Sequence, residues 1–104
     1  MSFNGNEGSF ITLREGSEMT KRYRDTIQSG EVIGQFFGSN ILNEILNQDD
    51  CQGIRFYFGK NDSGKMSLVL VGVDASGDDL VNGKIADRGW DSPPNNSNSN
   101  ALNS

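Results

Sequence analysis

Between Gly53 and Asp79 lie the only two runs in the chain apolar enough to be central strands, and six turn-forming residues separate them. In the first run, Ile54, Phe56 and Phe58 alternate with Arg55 and Tyr57, the period of a strand with one dry face and one mixed face. The second, Met66 to Val73, is nearly unbroken aliphatic sequence, the pattern of a strand covered on both sides. Between them Lys60-Asn-Asp-Ser-Gly-Lys65 offers turn formers and a glycine free to adopt positive φ, which predicts an antiparallel hairpin. A chain built round such a hairpin must supply cover for its apolar faces or leave them for a partner.

The cover available is small. The 104 residues suffice for one domain. Past Met1, residues 2–9 hold a single large apolar side chain, Phe3, and residues 92–104 are polar and repetitive, so both ends, 1–9 and 92–104, are read as disordered around one domain at residues 10–91. A body of roughly 80 residues supplies only a few kcal/mol from its core, so help from oligomerisation or a partner is a reasonable expectation.

Two helices are predicted ahead of the hairpin. Thr12-Leu13-Arg14-Glu15 has the spacing of a capping box, in which hydroxyl and carboxylate each bond the other residue's amide. From there Leu13, Gly16, Thr20, Tyr23 and Ile27 make one stripe, ended by Ser29-Gly30. Gly16 weakens such a helix unless something packs closely against it. Glu31 to Gly38, aromatic and β-branched but broken by glycines, reads as a short extended segment. Ser39 or Asn40 can cap a second helix with Ile41, Leu42, Ile45 and Leu46 on its apolar face, stopping at Asp49-Asp50. After the hairpin, Asn82-Gly83 carries a type I′ turn signal beside a possible third short strand, and Arg88 onward is broken by Gly89, Trp90 and Pro93-Pro94.

Composition removes several chemistries. The chain has no histidine, which excludes Ser-His-Asp and Cys-His catalysis, histidine metal sites and a histidine pH switch. With 14 acidic and 9 basic residues, a net charge of −5, it lacks the concentrated basic charge that nucleic acid or an anionic membrane requires. Its lone cysteine, Cys51, cannot form an internal disulfide and reads as a small packing residue. No basic and apolar leader pattern opens the chain and no run approaches eighteen apolar residues. The expected location is cytoplasmic, with no cofactor.

The acidic loop Asp74, Asp78, Asp79 invites a calcium reading, but Gly77 falls at loop position 4 where an EF-hand has it at 6, and Ile85 replaces the glutamate at 12. It reads as a turn, and no metal or catalytic residue is assigned. Arg55 and Tyr57, at i and i+2 of a strand, emerge from one face and are candidate binding residues, with Tyr23 and Trp90 as further aromatic anchors. A sheet apolar on both sides with two helices to cover it exposes a patch, and such patches mark interfaces.

Gln35-Phe36-Phe37-Gly38, Ile41-Leu42-x-x-Ile45-Leu46-x-Gln48, Cys51-x-Gly53-Ile54-Arg55-x-Tyr57 and Leu68-Val-Leu-Val-Gly-Val-Asp74-x-x-Gly77-x-Asp79 together resemble a family of small uncharacterised bacterial proteins over about Ile11 to Leu80. The resemblance implies a compact bacterial domain and lends no catalytic residue. Where that family carries cysteines near the prolines of the tail, this chain has Ser92-Pro93-Pro94-Asn95, so no redox or metal role for the tail is implied.

The sequence thus predicts an α+β domain, two N-terminal helices packed on a small, mainly antiparallel sheet centred on a 54–59/66–73 hairpin. The function expected is a non-enzymatic protein-interaction or self-assembly module whose partner is another protein or itself. The alternatives are a small-ligand-binding protein or enzyme using Arg55, Tyr57 and the Asp74–Asp79 loop, and an acidic inhibitor or immunity-type protein.

Overall fold

The computed structural model describes residues 2–104. Elements run α1 (Leu13–Arg24), β1 (Gly34–Phe36), α2 (Ser39–Leu46), β2 (Gly53–Lys60), β3 (Met66–Val73), β4 (Ile85–Ala86) and β5 (Trp90–Ser92). Both sheets are antiparallel, and with two helices this is an α+β fold. No described helix is long and apolar enough to cross a membrane. The chain divides into two compact units, one of Phe37–Gly89 with the segment ending at Glu7, the other of Gly8–Phe36 with Trp90–Ser104.

The first unit is the hairpin and its cover. Strands β2 and β3 pair along their whole length, from Gly53 opposite Val73 to Lys60 opposite Met66. Asn61 closes the turn: its side-chain oxygen accepts from the amides of Ser63 and Lys65, while Gly64 takes φ +79°. Directly opposed residues share a face, so Ile54, Phe56 and Phe58 lie with Gly72, Leu70 and Leu68, and Arg55 and Tyr57 lie with Val71 and Val69. Helix α2 packs on β2 and β3, and the side chains of its cap region, Gln48 and Cys51, close over Gly72. The buried apolar residues here are Ile45, Leu70, Val71 and Val73.

Eight residues of helix reach only about 12 Å. Consequently α2 covers one end of the Ile-Phe-Phe face, and Phe56 and Phe58 stay 50% and 86% exposed. Gly38, with no side-chain bond, is the N-cap of α2 where Ser39 or Asn40 was predicted; both are already helical. Beyond the helix Asp50 turns the chain at φ +62°. The Asn82-Gly83 signal does not make a type I′ turn, because neither residue has positive φ. Instead Gly83 donates to the Leu80 carbonyl, placing Val81-Asn82 at the centre of the turn, and Gly83 is where the Gln48 amide presses against the backbone. The third strand beyond it, β4, pairs Ile85 with Val71 and Ala86 with Leu70.

In the second unit the predicted capping box forms, with the Glu15 amide donating to Thr12 Oγ1 at 3.1 Å and the Thr12 amide to Glu15 Oε1 at 3.3 Å. Gly16 is buried and meets the side chains of Leu102 and Ile11, the close packing its position called for. Helix α1 stops at Arg24, before the predicted Ser29-Gly30; beyond it the chain tightens into a turn in which the Thr26 amide and hydroxyl both donate to the Tyr23 carbonyl. The glycine-broken aromatic segment yields β1, paired with β5 so that Phe36 faces Trp90 and Gln35 faces Asp91. Trp90-Asp91-Ser92, read from sequence as irregular, is therefore strand. The ends read as disordered carry defined bonds: Phe3 donates to the Ala75 carbonyl in the first unit, and in the second Arg24 donates to the carbonyls of Leu102 and Ser104.

Candidate functional site

The mixed face of β2 carries the one concentrated polar cluster among the sequence-predicted residues. Alternation along the strand puts Arg55 and Tyr57 side by side, and the β3–β4 connection brings Asp79 to them. That connection is shaped by Asp74, whose carboxylate oxygen Oδ1 accepts from the amides of Ser76 and Asp78 while Gly77 takes φ +87°. An isolated bridge between Val73 and Asp79 then fixes where Asp79 stands.

Both carboxylate oxygens of Asp79 are engaged: Oδ1 by Arg55 Nη1 at 2.5 Å, Oδ2 by the Tyr57 hydroxyl at 2.5 Å. Arg55 Nη1 also donates to the Gly77 carbonyl at 3.2 Å, and its guanidinium carbon lies 5.8 Å from the centre of the Phe3 ring. Phe3 in turn packs on Gly77, where a Cβ would collide with its ring. The Tyr57 hydrogen bond, joined by the charge of Arg55, holds the Asp79 carboxyl below its ordinary value of 3.8. The same bond raises Tyr57 above its ordinary 10.0. Asp79 is thus an ionised acceptor at neutral pH with both oxygens bonded, an arrangement that orders the loop.

Linkage sets the sign of the pH dependence. A carboxyl depressed on folding stabilises above its unfolded pKa and loses that contribution as pH falls through the folded value. A phenol raised on folding stabilises below its unfolded pKa and loses that contribution as pH climbs through the folded value. The cluster is therefore fully stabilising between about pH 3.8 and 10.0. Urea midpoints of the native chain should fall on either side of that window, and Asp79→Asn should flatten both flanks; unchanged flanks in the variant would show that Asp79 does not couple them.

Beside the cluster, a cleft of about 490 Å³ separates the segment Phe3 to Glu7 from β2 and is lined by Phe3, Glu7, Gln52, Ile54, Arg55 and Phe56. Of the three clustered groups only Arg55 lines it. Glu7, whose carboxylate accepts from the amides of Asn4 and Gly5, is held below its ordinary value chiefly by the Asn4 amide. Neither Phe3 nor Glu7 was legible as a site residue, since both lie in a stretch whose composition signals only loose chain.

Tyr23 and Trp90 belong to the second unit. Tyr23 lies on α1 beside a small cleft of about 200 Å³ lined also by Met19, Arg24, Ile33 and Leu102. Trp90 stands across from Phe36 on the β1–β5 ribbon, and both rings are mostly exposed. Cys51 is half-buried and donates its thiol to the Gly53 carbonyl. No family model, no curated protein and no solved structure matches this chain.

Proposed function

We propose that the protein is a non-enzymatic protein-interaction or self-assembly module working through its hairpin. One observation carries the reading: β2 is the end strand of its sheet, eight residues long, and it presents Phe56 and Phe58 to solvent. Apolar rings of that size on an open strand are what a partner surface offers. The internal pairing of Arg55, Tyr57 and Asp79 supports the same reading, since it ties the polar side of the strand into the fold. The test is solution mass by light scattering across micromolar concentrations, with native-lysate capture on the immobilised chain. A defined oligomer or a specific captured protein agrees with the proposal, and a monomer that captures nothing overturns it.

A second reading, a small-ligand site at Arg55, draws on the cleft of about 490 Å³ that this guanidinium lines next to Phe3. It takes an anionic ligand small enough to enter beside Glu7, and its sign is a chemical-shift change confined to the Phe3, Arg55 and Gln52 amides when small carboxylates are titrated.

A further inference from the structure

The hydrogen-bonding direction of each strand residue tells what the open side of β2 offers. The Gly72 carbonyl accepts from Leu80 on the β4 side, whereas the Val73 carbonyl accepts from Gln52 on the β2 side. Main-chain groups alternate in direction along a strand, so Val69 and Val71 address Tyr57 and Arg55 across the ladder. The N–H and C=O groups of Ile54, Phe56 and Phe58 therefore point away from β3, to the side where no strand pairs among the described residues. Of these residues Phe56 and Phe58 have exposed side chains, while Ile54 is half-buried. Proteins blunt such edges with proline, lysine or a short strand; between Ile54 and Gly59 this one has none of these, and Arg55 is tied back to Asp79.

Resting on that interaction reading, we infer that the partner is a second copy of this chain, paired antiparallel along β2 about a two-fold axis at Phe56. The strand is self-complementary only in this register. It sets Phe56 against Phe56 of the second copy, Ile54 against Phe58, Arg55 against Tyr57, and Gly53 against Gly59. Every apolar side chain meets an apolar one, the guanidinium meets a phenol, and the residues without side chains face each other. An axis at Arg55 opposes two guanidiniums. An axis at Tyr57 puts Lys60 against Ile54 and Arg55 against Gly59. The paired stretch in this register runs from Ile54 to Phe58, since the chain's own Gly5 stands beside the Gln52 carbonyl, its Cβ position 3.3 Å away. The resulting contact is isologous and closes as a dimer, joining the two hairpin sheets into one.

Three cysteine variants in a Cys51→Ser background read the register. Opposed strand residues have Cα atoms about 4.5–5.5 Å apart, within the span a disulfide bridges. Phe56→Cys is expected to oxidise to a cross-linked dimer, while Arg55→Cys and Tyr57→Cys, each displaced from its own copy, stay uncross-linked. Phe56→Pro supplies an independent reading, because the amide it deletes serves the open edge and not the β2–β3 ladder, so far-UV circular dichroism should be retained. Losing the central bond pair should weaken the dimer at least about tenfold by light scattering. A dimer that survives Phe56→Pro, or that cross-links through Arg55→Cys or Tyr57→Cys instead, overturns this inference and leaves the assembly reading standing. A monomer that captures a foreign protein does the same for the interaction reading, and a monomer that captures nothing removes both.

Discussion

Leu70→Ala is expected to lower the unfolding free energy by about 2–5 kcal/mol, close to everything a core of this size supplies. Leu70 is wholly inaccessible at the centre of β3, opposite Phe56 on one side and Ala86 on the other. Truncating it removes buried methyl groups and leaves a cavity between strands held on both sides, where collapse is limited. Urea unfolding followed by circular dichroism should show a chain partly unfolded even without denaturant, whereas Leu70→Met, which conserves volume, should cost less than about 1.5 kcal/mol. Phe58→Ala removes a larger side chain, yet at 86% exposure it should scarcely alter the monomer's midpoint. Equal losses at Leu70 and Phe58 would show that the core is not where the structure places it.

Gly72→Val should be nearly as damaging, for the opposite reason. A Cβ at Gly72 would stand 2.9 Å from Cys51 Sγ, 2.9 Å from Gln48 Nε2 and 3.1 Å from Leu80 Cδ1. Gln48 is not free to yield. Its Nε2 donates to the Ile45 carbonyl at 2.9 Å and its Oε1 accepts from the Lys84 amide at 2.8 Å, so one side chain links the end of α2 to the approach of β4. Overpacking of this kind costs about 1–3 kcal/mol, and displacing Gln48 adds about 1 kcal/mol for each bond lost. Gly53→Val is the control, being in the same sheet with nothing near its Cβ direction. Matching midpoints for the two valine variants would refute the close-packing account; a midpoint lowered only by Gly72→Val would place the Gln48 and Cys51 side chains over that glycine.

Both expectations concern the first unit, where the sequence was most informative. The hairpin, its turn at Asn61 and the positive φ of Gly64 were legible because strand period and turn chemistry are local properties of adjacent residues. The Thr12–Glu15 box was legible for the same reason. Ribbon β1–β5 was not: it joins Gly34–Phe36 to Trp90–Ser92, and three residues on each side are too few to establish a period, while the prolines that follow argue against strand. At Asn82-Gly83 the dipeptide rule failed because the close approach of Gln48, a tertiary contact, selects glycine there for its missing side chain.

The candidate site divides the same way. That Arg55 and Tyr57 share a face followed from the period of two. That Asp79 completes the cluster depended on the path of the Asp74–Asp79 loop, set by Asp74 accepting loop amides and by the bridge to Val73. The sequence also could not say which face of the hairpin would stay open. Covering the Ile-Phe-Phe row would have exposed the Arg55 face; α2 is too short to reach Phe58, so part of the phenylalanine row is left bare. By itself, then, the order of residues determined that two helices precede the hairpin, the hairpin itself and the chemistries a chain without histidine forgoes, since each is dictated by neighbours along the chain. Only the tertiary structure decided which glycines are packed upon, which carboxylate joins Arg55 and Tyr57, and which aromatic row faces water, because each turns on contacts between segments that no local pattern encodes.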